Sequence, residues 1–226
     1  MKQDSLSVII PCLNEEEIIS DCIKAIPKMP WTTEIIVVDD GSTDKTVEVV
    51  KELNRKDVRI VSYKPNRGKG YAFRQGMKAA KGDVVVIQDA DMNPKELPEI
   101  VKPIFEDKAD FVNGTRLVYE MEKGAMKPLH VPGNKAFALI VSMFIGQKLT
   151  DTLCGYKAFK RKVLSGQLKD DSWPDFELLL KAKRNHMRIV EVPIHYNARK
   201  GGESKMKTFS HGWSMLSKLI KAVLFD

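Results

Sequence analysis

Two aspartates, Asp89 and Asp91, are the residues whose type and spacing most clearly indicate chemistry. They follow an apolar run at residues 83–88 that is typical of a buried strand, and a single alanine separates them. Carboxylates this close concentrate negative charge, which a divalent cation that prefers oxygen ligands, Mg²⁺ or Mn²⁺, would neutralise. Such a cation can bridge two phosphates and stabilise a departing diphosphate. The alternative is an acidic turn that begins a helix, with Asn93 either as a further ligand or only as the helix cap.

A second acidic cluster, residues 39–44, also follows an apolar run. An acidic side chain at a strand end can accept hydrogen bonds from a ribose or a base, and for Asp40 we favour this nucleotide contact. For Asp44 we favour the structural role of capping the next helix. Gly68-Lys69-Gly70 lacks the full pattern of a phosphate or dinucleotide loop, but the flanking glycines would let Lys69 approach a nucleotide closely.

The elements that must position these clusters alternate between strand-like and helix-like segments in the first half of the chain. Strands are predicted at residues 6–10, 34–39, 58–62 and 83–88. Helices are predicted to begin at Asn14, at Asp44, after Gly70 and at Asn93. This order predicts an α/β fold, with a doubly wound, mostly parallel sheet flanked by helices. Because ligands bind at the carboxyl ends of such strands, the acidic clusters are expected to share one rim.

The second half of the chain is less regular. Strands are predicted at residues 111–116, 156–160 and 188–194, and helices at 134–149 and 175–185. Residues 117–133 have no clear period and are expected to form a mobile loop. No repeat or domain boundary is evident, so we interpret residues 1–226 as one domain.

Basic residues are concentrated at the C-terminal end. The formal net charge is +7, and residues 199–226 contain six basic and two acidic residues, which suits an anionic partner. Arg199 and Lys205 flank a glycine-rich loop and are candidates for holding a phosphate, with a solvated loop as the alternative. Residues 208–225 predict a basic amphipathic helix that lies on a membrane surface or packs on the protein's own core. Its apolar stripe comprises Phe209, Trp213, Leu216, Ile220 and Val223.

The compartment is predicted from what the sequence lacks. Three cysteines have neither disulfide-framework nor metal-site spacing, and the chain opens without a secretory signal, which favours the cytoplasm. The apolar stretch at residues 136–145 has about half of the roughly 20 residues that a spanning helix needs. We therefore expect at most a peripheral position on the cytoplasmic face of a membrane. The acidic rim and the lack of a recognition motif argue against a nucleic-acid partner.

Nine short fragments occur in order over nearly the whole chain, at residues 11–15, 36–44, 66–70, 82–91, 114–116, 151–155, 175–179, 191–194 and 202–205. With these fragments the chain resembles the inverting family 2 glycosyltransferases, which have a Rossmann-like, nucleotide-binding GT-A fold. Within that family it is most similar to the dolichyl-phosphate mannose and dolichyl-phosphate glucose synthases. The resemblance implies that residues 1–226 are one catalytic domain.

The resemblance also implies site residues by their positions. The nucleoside is held by Pro11, Glu15 and Asp40, and Leu13 stands between them where many relatives have tyrosine. The metal is held by Asp89 and Asp91, with Asn93 standing where some relatives supply another polar ligand. Phosphates are met by Arg116, Arg199 and Lys205.

The implied reaction moves a hexose from GDP-mannose or UDP-glucose to a polyprenyl phosphate, with inversion. A phosphate acceptor is ionised near neutral pH and needs no strong base, whereas an alcohol acceptor needs one. Asp175 is the candidate base, and capping the following helix is its alternative role. Three other functions stay open: a family 2 transferase for a glycan, lipid or small alcohol; a sugar-phosphate nucleotidyltransferase; and a non-catalytic nucleic-acid module.

Overall fold

A computed structural model of the chain describes residues 5–164, 174–198 and 214–221. Its seven strands are β1 (Ser5–Cys12), β2 (Thr32–Asp39), β3 (Val58–Ser62), β4 (Val84–Gln88), β5 (Phe111–Thr115), β6 (Tyr156–Lys160) and β7 (Ile189–Pro193). Its helices are α1 (Ile19–Ala25), α2 (Thr46–Glu52), α3 (Lys69–Ala79), a 3₁₀ turn (Pro94–Glu96), α4 (Leu97–Phe105), α5 (His130–Ile145), α6 (Arg161–Leu164) and α7 (Pro174–Arg184). Residues 214–221 are also helical.

The strands form one sheet in the order β3-β2-β1-β4-β6-β5-β7. Only β6 runs against its neighbours, because it pairs antiparallel with both β4 and β5 while the other pairs are parallel. The predicted doubly wound, mostly parallel sheet is therefore confirmed. The chain leaves β1 for β2 on one side and returns to β4 on the other. This reversal opens a crevice at the carboxyl ends of β1 and β4, where ligands bind in sheets of this kind.

Helices cover both faces of the sheet. The central strand β1 is therefore in contact with a core cluster on each of its two faces. Val8 and Ile10 belong to a core cluster that includes residues of α1 and α4. Ile9, which points to the other face, belongs to a cluster that includes residues of α3, α5 and α7. A strand buried on both faces is therefore mostly apolar, and the buried hydroxyl of Ser7 in β1 donates a hydrogen bond to Glu34.

Most of the predicted elements are confirmed, and two helix starts need correction: α3 begins at Lys69 and not after Gly70, and α1 does not begin at Asn14. Asn93 accepts a hydrogen bond from the backbone N–H of Lys95, and Asp44 accepts one from that of Thr46, so both lie at helix starts as expected. Asn14 does not cap α1. Its φ is +54°, its side chain accepts from the backbone N–H of Thr43, and α1 begins only at Ile19.

The apolar helix of the second half also has different limits from those predicted. It begins at His130, within the stretch expected to be a loop, and Gly146 ends it in the left-handed conformation, with φ +71°. Residues 117–129 form bends and turns without a strand or helix. In the part of the chain that the structure describes, no helix is long and apolar enough to cross a membrane.

The predicted amphipathic helix lies largely outside the described residues, as do Arg199 and Lys205. Its described part, residues 214–221, buries Met215 and Leu219 in the core cluster that also includes residues of α5 and α7. Ile220, a member of the predicted apolar stripe, is 47% exposed. This part of the helix therefore packs on the protein's own core, through a different face from the one expected.

Gly76 fixes the close approach of α3 to the sheet, and its substitution tests this packing. A Cβ at Gly76 would lie 2.4 Å from Cγ2 of Ile9 and 3.2 Å from Cγ2 of Val38. Gly76→Ala is therefore expected to lower the free energy of unfolding in urea by about 1–3 kcal/mol. Gly133→Ala in α5 is the matched control, because nothing lies within 4 Å of its Cβ. Alanine there should be neutral or stabilise by up to about 1 kcal/mol, and equal losses would contradict the packing argument.

Candidate active site

The end of β4 holds Asp89 against the segment that leads into β6. The backbone N–H of Asp89 donates to the carbonyl oxygen of Gly155 at 3.2 Å. A Cβ on Gly155 would lie 1.8 Å from Oδ2 of Asp89, so a side chain at position 155 would displace the carboxylate. The antiparallel direction of β6 is what brings this glycine to the carboxyl end of β4.

Lys69 links Asp89 to Asp175. It is the first residue of α3, and its Nζ lies 2.9 Å from Oδ2 of Asp89 and 3.3 Å from each carboxylate oxygen of Asp175. Asp175 lies in the first turn of α7 with its side chain only 6% exposed. Its carboxylate thus faces the site, which goes beyond the helix-capping alternative. Three predicted site residues from three separate elements therefore meet here.

Lys157 is a member of this cluster that the sequence reasoning missed. Its side chain is fully buried in β6, and its Nζ donates to the carbonyl oxygen of Cys154 at 2.5 Å and lies 3.9 Å from Oδ1 of Asp175. Burial lowers the pKa of Lys157, while the Asp175 carboxylate acts to raise it. The available signal was a lysine in the interior of the short strand Tyr156–Lys160.

The carboxylate of Asp89 lies in surroundings that disfavour its negative charge. Burial raises the pKa of Asp89 to about 6, the ammonium of Lys69 opposes this rise, and the charges of Asp175 and Asp91 add to it. Within the described ranges, no group of three or more acidic, histidine or cysteine residues is placed to hold a metal. Mg²⁺ and its relatives are commonly held by one or two carboxylates together with substrate phosphates and water, so Asp89 and Asp91 fit this chemistry.

Asn93 has a confirmed structural role and an untested one. Its Oδ1 accepts the backbone N–H of Lys95, and its Nδ2 lies 3.4 Å from Oε1 of Glu96. It therefore caps the 3₁₀ turn after Asp91, which confirms the first of its two predicted roles, that of a helix cap. Its role as a metal ligand stays a prediction.

The loop before α3 is fixed by Asp40. Its two carboxylate oxygens accept the backbone N–H groups of Arg67 and Gly68, each at 2.8 Å, and the residue is 4% exposed. Because Gly68 immediately precedes Lys69, Asp40 determines where α3 begins and where the Lys69 side chain starts. Sequence reasoning assigned Asp40 only to the nucleoside, and that contact stays a prediction.

The other predicted nucleoside residues lie at the end of β1 or just after it, at the same rim. Pro11 is the penultimate residue of β1, and Leu13 and Glu15 are half-buried. The backbone N–H of Glu15 donates to Oγ1 of Thr46 at 2.8 Å, which ties this loop to the start of α2. The three residues are thus placed beside Asp40, as the fold prediction required.

Arg116 has a structural partner that the sequence reasoning did not identify. It is 8% exposed, and its guanidinium forms a two-pronged ion pair with Asp151, at 2.7 Å and 3.0 Å. Asp151 is fully buried and also accepts the backbone N–H of Arg116. This pairing holds the segment that leads to Gly155, and the contact of Arg116 with a phosphate stays a prediction.

Comparison with known proteins relates this arrangement to a family. The model for Glycosyl transferase family 2 matches residues 7–166. The dolichyl-phosphate hexose transferase of Haloferax volcanii is 31% identical, over 98% of this chain and 95% of that protein. The UDP-N-acetylglucosamine–dolichyl-phosphate N-acetylglucosaminyltransferase of Methanococcus voltae is 31% identical, over 86% of each. Two further relatives are longer proteins, of which this chain spans 51% and 36%.

Solved structures confirm the fold. Glucosyl-3-phosphoglycerate synthase from Mycobacterium tuberculosis, in complex with Mn²⁺ and uridine-diphosphate-glucose, superposes with a TM-score of 0.76. The match covers 97% of this chain and 79% of that one at 22% identity. The mostly parallel sheet flanked by helices is thus the GT-A fold.

The raised pKa of Asp89 predicts how stability depends on pH in metal-free buffer. Because the pKa rises from 3.8 to about 6, the native state retains a proton in this window that the unfolded chain has lost. Raising the pH from about 4 to about 7 should therefore lower the free energy of unfolding by about 1–3 kcal/mol through this group. Asp89→Asn should lack this fall, and Asp21→Asn, an exposed control in α1, should retain it. Urea unfolding in EDTA measures both, and identical pH profiles would contradict the assignment.

Proposed function

The chain belongs to Glycosyl transferase family 2, and from this membership we propose that it transfers a hexose from a nucleoside-diphosphate sugar to a polyprenyl or dolichyl phosphate, with inversion. The donor is GDP-mannose or UDP-glucose. Two relatives named for dolichyl phosphate support the acceptor. The structural neighbour in complex with Mn²⁺ and uridine-diphosphate-glucose supports a nucleotide sugar and a divalent cation.

The surroundings of Asp175 favour a phosphate acceptor over an alcohol acceptor. Both of its carboxylate oxygens lie 3.3 Å from the ammonium of Lys69, and Lys157 lies 3.9 Å from one of them. An alcohol acceptor needs a base whose lone pair is directed at the acceptor proton. Here the oxygens face ammonium groups instead. A phosphate acceptor is already ionised and needs no such base, so it suits this arrangement.

On the donor side, Asp89 and Asp91 would hold Mg²⁺ or Mn²⁺. When bound, the cation offsets the charge that develops on the leaving diphosphate. The Lys69 ammonium lies beside Asp89 and adds positive charge at the same place. The acceptor phosphate oxygen attacks the anomeric carbon from the face opposite the diphosphate, which inverts the configuration. The nucleoside lies along the rim formed by Pro11, Leu13, Glu15 and Asp40, and Arg199 and Lys205 contact the acceptor phosphate.

We place the reaction at the cytoplasmic face of a membrane, where a polyprenyl phosphate is found. The outer face of α5 supports this position, because Leu139 is 65%, Met143 67% and Phe144 45% exposed. Residues 123–150 also contain four lysines and no acidic residue. An exposed apolar face among basic residues is complementary to the interface of an anionic lipid bilayer.

A transfer assay tests the proposal. Purified protein and Mg²⁺ or Mn²⁺ are incubated with labelled UDP-glucose, GDP-mannose or UDP-N-acetylglucosamine, each with and without a polyprenyl phosphate. Label that enters the organic phase is measured. Metal-dependent transfer from one donor is expected. Nucleotide release only with glycans or alcohols would show a family 2 transferase of a different acceptor class and overturn the lipid-phosphate acceptor.

Two substitutions separate the metal site from base catalysis. Asp91→Ala removes one of the two proposed metal carboxylates and should lower transfer to the polyprenyl phosphate by about 10²-fold or more. Asp175→Asn should lower transfer by less than about tenfold, because a phosphate acceptor needs no general base. Loss of a general base typically costs about 10²- to 10⁴-fold. Asp21→Asn is the control and should leave turnover unchanged. A loss with Asp175→Asn as large as that with Asp91→Ala would contradict the phosphate acceptor.

Met143→Glu tests the membrane position. It places a negative charge on the exposed face of α5 and should weaken binding to phosphatidylglycerol vesicles by about tenfold or more, measured by co-sedimentation. Thr32→Glu makes the same charge change at an exposed position at the start of β2 and should have little effect. Equal loss in the two variants would contradict a specific role for α5.

A further inference from the structure

The ammonium of Lys69 occupies the side of Asp89 that a bound cation would also need. Nζ of Lys69 is 2.9 Å from Oδ2 of Asp89. A divalent cation on the same carboxylate would lie within a few ångströms of this ammonium, and like charges at such a distance repel strongly in a partly buried site. Side chains of Lys69 and Asp89 are only 27% and 28% exposed, so water screens them incompletely.

The backbone on both sides of this ion pair is held in place. Asp89 bonds to the carbonyl oxygen of Gly155, and its carboxylate packs where a Cβ of Gly155 would be. Lys69 begins α3 directly after Gly68, whose N–H is held by Asp40. The flexible four-carbon stem of Lys69 is therefore the part of this contact that can move most readily.

Asp175 offers the ammonium a second position. Its two oxygens lie equally far from Nζ of Lys69, at 3.3 Å, and its side chain is 6% exposed. Lys157, which is fully buried, lies 3.9 Å from Asp175 and keeps that carboxylate among positive charges. Lys69 can therefore leave Asp89 and still be paired, without a long movement into solvent.

We infer that Lys69 is an exchangeable counter-ion: it pairs with Asp89 until a divalent cation binds there, and then pairs with Asp175 alone. This inference rests on the proposed metal site at Asp89 and Asp91. The cation and the ammonium compete for one carboxylate, so Lys69 lowers the affinity for the cation in the absence of donor. When the cation binds, the ammonium of Lys69 moves away from Asp89 and towards Asp175.

Binding of Mn²⁺ alone, followed by electron paramagnetic resonance of the free ion, tests this exchange without a turnover assay. Lys69→Met removes the charge and keeps much of the side-chain volume. A contacting opposite charge shifts the proton affinity of a carboxylate by about one to three powers of ten, so we expect Mn²⁺ to bind this variant about tenfold more tightly or better. Lys69→Arg keeps the charge and should bind Mn²⁺ as weakly as the unsubstituted protein.

Lys78→Met is the matched control, because it removes one positive charge from an exposed position on the same helix. It should leave the affinity for Mn²⁺ unchanged. If Lys69→Met lacks a cooperative unfolding transition, Lys69→Gln makes the same test, since it keeps a hydrogen-bond donor without the charge. Tighter binding in a neutral variant, but not in Lys69→Arg or Lys78→Met, supports the exchange.

Two negative results have different meanings. If Mn²⁺ binds the unsubstituted protein and is lost in Asp91→Ala, the metal site stands, and equal or weaker binding by Lys69→Met overturns the exchange alone. If Mn²⁺ binds none of the variants, the proposed metal site and the exchange are both overturned.

Discussion

The pairing of opposite charges that are partly or fully buried is the constraint on which the site depends. Asp89 and Asp175 share the ammonium of Lys69, and Lys157 is fully buried beside Asp175. A charge removed from water is costly unless a partner lies within bonding distance, so each member must be placed to within a fraction of an ångström. The four residues come from the end of β4, the start of α3, the start of α7 and the middle of β6, and one sheet brings these elements together. The same arrangement balances two carboxylates with two lysine side chains at the rim.

Reversal of β6 supplies the other half of the site. If β6 ran parallel to the other strands, its carboxyl end would lie at this rim. Because β6 is antiparallel, its amino end lies there, with Gly155 against Asp89. Two carboxylates, one buried and one half-buried, hold the segment before it. Asp151 pairs with Arg116 after β5, and Glu191 in β7 accepts the backbone N–H of Thr150. Arg116, which the sequence suggests for phosphate contact, thus also anchors the segment that leads to Gly155.

The sequence predicts the fold well wherever an element is defined by its own periodicity. β1, β2 and β4 contain apolar runs that are buried on both faces, whereas the edge strand β3 is only half-buried. The rim positions of Asp40, Asp89 and Asp91 follow from parallel pairing. Pairing across the chain leaves no such local trace. Nothing near Arg116 shows that Asp151, 35 residues away, will bind it, and nothing near Lys69 indicates Asp175, 106 residues away. Lys157 was missed for the same reason, because a lysine within a short strand does not reveal its partners.

The strand order also has a consequence during synthesis of the chain. β1, β2, β3 and β4 are complete once residue 88 has been made, but the other neighbour of β4 is β6, which ends at Lys160. With synthesis at roughly 5–20 residues per second, the intervening stretch of about 70 residues takes several seconds. During that time β4, with the sequence VVVIQ, is an open apolar edge that can pair with another strand. The nascent protein therefore passes through a period in which the strand that precedes Asp89 and Asp91 has an unpaired apolar edge, on which a ribosome-associated chaperone would act.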